Sequence, residues 1–181
     1  MFPDPPQLLL LGDSITAGFD TARLLPELRI RNEGVSGDST VELLARLQPE
    51  WLRPPALRAV FVCIGTNDLA RDRTDAFLLS QTILLARIIR AARPLRLYLT
   101  SLFPTRHSEP RPNPRIVGYN QQLAELADEL GLGFFNLHPH FTDDAGQLRA
   151  EFTDDGLHLT EAAYARWATL LRQFTALTTG S

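Results

Sequence analysis

Five short apolar runs recur along the chain, at Gln7–Leu11, Leu28–Asn32, Leu57–Ile64, Leu95–Ser101 and Gly133–Leu137, and helix-period segments fill most of the intervals between them. Strands spaced this way do not pair as hairpins. They pair in parallel, with a helix crossing back over the sheet between one strand and the next. The runs "LLLL" and "AVFVCIG" are continuous rather than alternating, as expected of strands covered by helices on both faces. At 181 residues, the length predicts a single domain, 1–181, with room for a sizeable core. The fold class is α/β.

The helical intervals are well marked. Ser39, with Glu42 three residues on, forms a capping box ahead of "VELLARL". The segment Asp75–Arg93 places Phe77/Leu78, Leu84/Leu85 and Ile88/Ile89 on one face and stops before Pro94. Ile116, Tyr119, Leu123, Leu126, Ala127 and Leu130 form a second stripe, closed by Gly131. Tyr164, Trp167, Ala168, Leu171 and Phe174 form a third, and both tryptophans read as core. One stretch lacks a period: Phe103–Arg115, "FPTRHSEPRPNPR", holds four prolines. It follows the fourth strand, on the edge where open α/β sheets bind ligands. A surface loop and the wall of a pocket both fit it.

Charge and cysteine content exclude several kinds of chemistry. A formal net charge of -3 gives no reason to expect nucleic acid as a partner. Every one of the 18 basic residues is arginine, so a Walker-A lysine, a Schiff base and a Ser-Lys dyad are ruled out. The single Cys63 cannot form an intrachain disulfide and reads as a small buried hydrophobe. The N-terminal stretch has no basic n-region, and nothing approaches the roughly 20 apolar residues of a membrane helix. The expectation is a cytoplasmic protein without integral membrane association.

Four clusters could carry chemistry. Ser14, in "LLLLGDSITAG", sits where a strand gives way to a helix, a position that suits a helix cap and a nucleophile equally. In "NEGVSGDST" Gly37 can bring a backbone N–H close to a substrate oxygen, and in "CIGTND" Asn67 offers an uncharged amide donor. Turn glycines and local Asx hydrogen bonds would explain the same residues. In "TDDGLHLT" Asp155 and His158 are three apart. That spacing lets the carboxylate accept from Nδ1–H and leaves Nε2 free to face Ser14, although Asp-x-x-His alone is a weak signal. The ends of parallel strands converge on one edge, where these parts sum to a nucleophile, a base, its orienter and three oxyanion donors.

In this combination the chain resembles the SGNH hydrolases, the GDSL esterase/lipase superfamily. Its four blocks are matched in order by Gly12-Asp13-Ser14-Ile15, Gly37, Gly65-Thr66-Asn67-Asp68 and Asp155-Gly156-Leu157-His158. The "GVSGDST" and "DDGLHLT" segments are most similar to bacterial single-domain lysophospholipase, thioesterase and arylesterase members. The resemblance implies a three-layer αβα sandwich on a flavodoxin-like parallel sheet of about five strands. It implies catalytic Ser14, His158 and Asp155, with the oxyanion hole formed by the amides of Ser14 and Gly37 and the side chain of Asn67. Asp13 and Asp68 are read as structural.

The expected substrate is a small-molecule ester, with short acyl chains favoured because no extended apolar loop is evident. Acyl-CoA thioesters and lysophospholipids are alternatives for the same triad. No cofactor or metal is expected: "HPH" at His138–His140 has strand spacing, but His107, the remaining candidate ligand, lies in a distant loop. A different class also accounts for part of the chain. A non-catalytic phosphate- or nucleotide-binding module would use the Gly12–Thr16 loop, leaving Asn67, Asp155 and His158 without a task.

Overall fold

All five apolar runs become strands of one parallel sheet in the computed structural model, which describes residues 7–92 and 94–179. In chain order the elements are β1 (Leu8–Gly12), α1 (Ser14–Ala17), α2 (Thr21–Leu24), β2 (Ile30–Gly34), α3 (Thr40–Arg46), β3 (Ala59–Cys63), α4 (Thr66–Ala70), α5 (Asp75–Ala92), β4 (Arg96–Thr100), α6 (Asn113–Glu129), β5 (Gly133–Phe135) and α7 (Glu161–Thr179). The strand order is β2-β1-β3-β4-β5. This is the flavodoxin-like doubly wound order, whose ligand crevice opens between the ends of β1 and β3.

The continuous apolar runs have a direct structural explanation. Leu9 and Leu11 of β1 and Val60 and Val62 of β3 pack under α3, α5 and α6. Leu8 and Leu10, with Ala59, Phe61 and Cys63, pack on the other face against α1 and α7. Both faces of the central strands are core, so no polar residue alternates in β1 or β3, and the molecule is a three-layer αβα sandwich. No helix among the described residues is long and apolar enough to cross a membrane.

Several boundaries differ from expectation for local reasons. The second strand begins two residues late, because the amide of Leu28 still donates to Leu25 O in the turn after α2. The strand then runs on through polar Asn32 and Glu33, which an edge position tolerates. β5 ends at Phe135 because the Ser101 hydroxyl accepts from the amides of Leu137 and His138, both at 2.9 Å, and ends the ladder. Pro112 precedes the first turn of α6, so the proline-rich stretch is irregular only as far as that residue. Arg93, the expected last residue of its helix, lies outside the described residues, as does the N-terminal stretch 1–6.

Two side-chain expectations are corrected. Along α5 the buried face is Leu78, Thr82, Leu85, Ala86 and Ile89, while Leu84 and Ile88 are exposed. The latter two lie about 100° round the helix from Leu85 and Ile89, beyond the stripe that meets the sheet. Trp167 is buried in the core, whereas Trp51 is half-buried beneath the guanidiniums of Arg31 and Arg46.

Candidate active site

Asp13, not Ser14, caps the first helix. Its carboxylate accepts from the amide of Ile15 at 3.0 Å, so the neighbouring hydroxyl is not used on the backbone. Ser14 Oγ instead meets His158 Nε2 at 3.1 Å. On the far side of the ring, His158 Nδ1 lies 2.6 Å from Asp155 Oδ2. The other oxygen, Asp155 Oδ1, accepts from the amides of Leu157 at 2.9 Å and His158 at 2.7 Å. The His158 ring, followed by these amides, holds the Asp155 carboxyl far below the usual carboxylate range. An ionised Asp155 fixes the proton on Nδ1, which leaves Nε2 as the acceptor for the Ser14 hydroxyl.

Tertiary contacts bring the two halves of this relay together from opposite ends of the chain. Tyr164, in the first turn of α7, donates its hydroxyl to Ile15 O at 2.8 Å. Phe19 stacks on Tyr164 and Trp167, with centroids at 5.7 and 4.5 Å. Arg23 pairs with Glu161, and Arg172 with Glu27. The Asp155–His158 turn is held from a third direction by the amide of Arg106, which donates to Gly156 O at 2.8 Å. Sequence spacing shows none of these clamps, since each joins residues far apart in the chain.

The loops after β2 and β3 meet at the same edge. Gly37 has φ +84, a left-handed conformation that glycine adopts without strain, and apart from its chain neighbours no described residue comes within 4 Å of where its Cβ would be. Asn67 donates Nδ2–H to Asp38 O at 2.8 Å and so ties β3's loop to that of Gly37. Buried Asp68 reinforces the tie: it accepts from Thr40 N at 2.8 Å, Thr40 Oγ1 at 2.9 Å and Arg73 at 2.7 Å. The Ser39–Glu42 capping box closes the start of α3 beside them.

The proline-rich loop turns out to wall the site, and it supplies a residue that sequence reasoning missed. Arg111 donates from Nε to Thr66 O at 3.1 Å and from Nη2 to Asn67 Oδ1 at 3.2 Å. His138 and His140 fall elsewhere, in a short 3₁₀ turn after β5, where the hydroxyl of Thr142 lies 3.3 Å from His138 Nδ1. Among the described residues no group of three His, Cys, Asp or Glu side chains is placed to hold a metal ion. Cys63 is buried, and burial pushes its thiol well above the ordinary value.

Asp13 carries a stability consequence. Burial pushes its carboxyl up from 3.8 to about 6, against the opposing effect of the amides it accepts from. Between those values the folded protein binds the proton more tightly than the unfolded chain does. Stability from this group is therefore present at low pH and falls as pH rises through the window. Asparagine caps a helix as well as aspartate and carries no charge to bury. Asp13→Asn is expected to raise stability above pH 6 by about 2 kcal/mol and to flatten its decline between about pH 4 and 6. Thermal or denaturant unfolding across that range checks it; an unchanged pH dependence would contradict the buried-charge account.

Comparison with known proteins assigns the chain to a family. The model of the GDSL-like lipase/acylhydrolase family matches residues 10–166. The chain belongs to that family, whose members are hydrolases acting on esters. Among solved structures, a protein of Streptococcus pneumonia provisionally described as a platelet activating factor is 29% identical, with a TM-score of 0.87 over 96% of this chain and 86% of its own. A GDSL-like lipase from Bacteroides thetaiotaomicron is 20% identical, with a TM-score of 0.82 over 94% of this chain and 88% of its own. A lipase/acylhydrolase from Enterococcus faecalis is 24% identical, with a TM-score of 0.77 over 91% and 92%. At these last two identities the likeness bears on the fold. No curated protein matches the chain at a significant level.

Proposed function

We propose that this chain is a serine hydrolase that cleaves carboxylic esters through an acyl-enzyme intermediate, with short-chain acyl or aryl esters as its substrates. The observation that carries the reading is the relay Ser14 Oγ–His158 Nε2 at 3.1 Å and His158 Nδ1–Asp155 Oδ2 at 2.6 Å, at the edge where the family's other blocks converge. A phosphate-binding loop has no need of such a relay, and this argues against the non-catalytic alternative.

In this reading Ser14 Oγ attacks the ester carbonyl while His158 Nε2 takes its proton. The carbonyl π pair moves onto oxygen, where the amides of Ser14 and Gly37 and the free hydrogen of Asn67 Nδ2 receive it. Collapse expels the alcohol, which takes the proton back from His158. Water then repeats the sequence on the acyl-Ser14 ester and releases the acid. Asp155 stays ionised throughout and keeps the imidazole in the productive tautomer.

Hydrolysis of p-nitrophenyl esters from acetate to palmitate, alongside acyl-CoA, tests both the activity and its chain-length preference. The expected result is turnover that is highest for the shortest esters. Asn67→Ala is expected to lower kcat by about 10²–10³-fold with KM little changed, since its donor matters most once charge has formed. A change confined to KM would remove Asn67 from the oxyanion hole.

A further inference from the structure

The part-buried arginines around this edge of the sheet have carboxylate partners, with one exception. Arg46 pairs with Asp38, Arg73 with Asp68, Arg106 with Asp143, and Arg115 with Asp72 and Asp75. Among the described residues Arg111 has no carboxylate within 4 Å; its two hydrogen-bonded partners are the carbonyl oxygens of Thr66 and of the Asn67 side chain. A guanidinium with no carboxylate in hydrogen-bond reach, half withdrawn from water and attracted to buried Asp13 only at longer range, sits directly behind an amide whose other end faces the catalytic edge.

The loop is built to hold it there. Thr105 Oγ1 donates to Arg111 O at 2.7 Å, and the Arg111 amide donates to Ser108 O at 3.3 Å. Asn113 brackets Thr105 from both sides, accepting from its N and donating to its O, each at 2.8 Å. Pro110 and Pro112 flank Arg111 with fixed φ, and Arg111 is therefore presented by a doubly tied turn.

We propose that Arg111 is a positioning residue for ester hydrolysis: it fixes the orientation of the Asn67 amide and places positive charge behind the oxyanion hole. The inference rests on the function proposed above. The amide of Asn67 is read at both ends. A donor-only guanidinium faces Oδ1 and an acceptor-only carbonyl, Asp38 O, faces Nδ2. A flipped amide would set NH₂ against guanidinium and oxygen against oxygen, so one orientation survives. In that orientation one Nδ2 hydrogen serves Asp38 and the second remains for the developing oxyanion. Donation into Oδ1 draws electron density from the amide and strengthens that second N–H as a donor. Arg111 acts through Asn67, without touching the reacting atoms.

A double-mutant cycle with p-nitrophenyl acetate tests the assignment. Arg111→Met keeps the apolar stem and removes every donor. It is expected to lower kcat by about 10- to 100-fold with KM within about twofold. Arg111→Lys, which restores charge and a single donor, recovers part of the loss. In an Asn67→Ala background the further effect of Arg111→Met should vanish, because the residue it acts through is gone. A full loss persisting in that background overturns the proposal and makes Arg111 a direct substrate contact. Wild-type kcat in Arg111→Met, with the fold intact by circular dichroism, overturns it as well. If Arg111→Met does not fold, Arg111→Lys is taken round the same cycle and read the same way. The function itself is tested separately: Ser14→Ala that still turns over ester would remove it, whatever Arg111 does.

Discussion

Ser14→Ala is expected to lower kcat for p-nitrophenyl acetate by about 10⁴–10⁶-fold while leaving the fold and its stability essentially unchanged. The large effect and the small one have the same cause. Capping of α1 belongs to Asp13, whose carboxylate holds the Ile15 amide, so the Ser14 hydroxyl has no backbone task to lose. Its side chain meets His158 Nε2, and removing Oγ removes the attacking atom alone. If Ser14 were instead a structural cap, alanine would cost about 1 kcal/mol of stability and leave turnover intact. Parallel kinetics and unfolding measurements on one variant therefore separate the two roles.

His158→Ala is expected to cost a comparable factor, and the pair Ser14→Ala/His158→Ala to be no slower than either single variant. A base has no function without the nucleophile it serves, so additivity here would mean that the two residues act independently. Asp155→Asn is expected to be milder, about 10²–10⁴-fold, because the amide leaves Oδ1 able to accept from Leu157 and His158 while losing the charge that fixes the tautomer. Kinetics on the four variants with one neutral ester suffice. A His158→Ala protein with near-normal kcat would remove it as the base.

What could be read from sequence was what depends on short range. The strands were legible because both faces of β1 and β3 are buried, which leaves long apolar runs with no polar interruption. The Ser39–Glu42 box was legible because both partners lie within one turn. Ser14 and Asp13 stand side by side at a helix start, and either could cap it; only the backbone conformation assigns the role to Asp13. Arg111 was invisible for a different reason. It lies in a stretch with no period, and its partner Asn67 is 44 residues away, so the contact exists only after two loops close on each other. The same holds for the Tyr164–Ile15 clamp, across 149 residues, which brings the base to the nucleophile. Leu84 and Ile88 looked like core because adjacent apolar pairs blur which side of a helix is meant.

The claim that Ser14 becomes acylated is tested most directly by quenching the enzyme with acid during turnover of p-nitrophenyl acetate and mapping the adduct by peptide mass spectrometry. The account predicts one acetyl group per chain, on Ser14, forming with a burst of p-nitrophenol and absent from Ser14→Ala. Turnover at the same rate with the acetyl group on another residue, or sustained in Ser14→Ala, would contradict it.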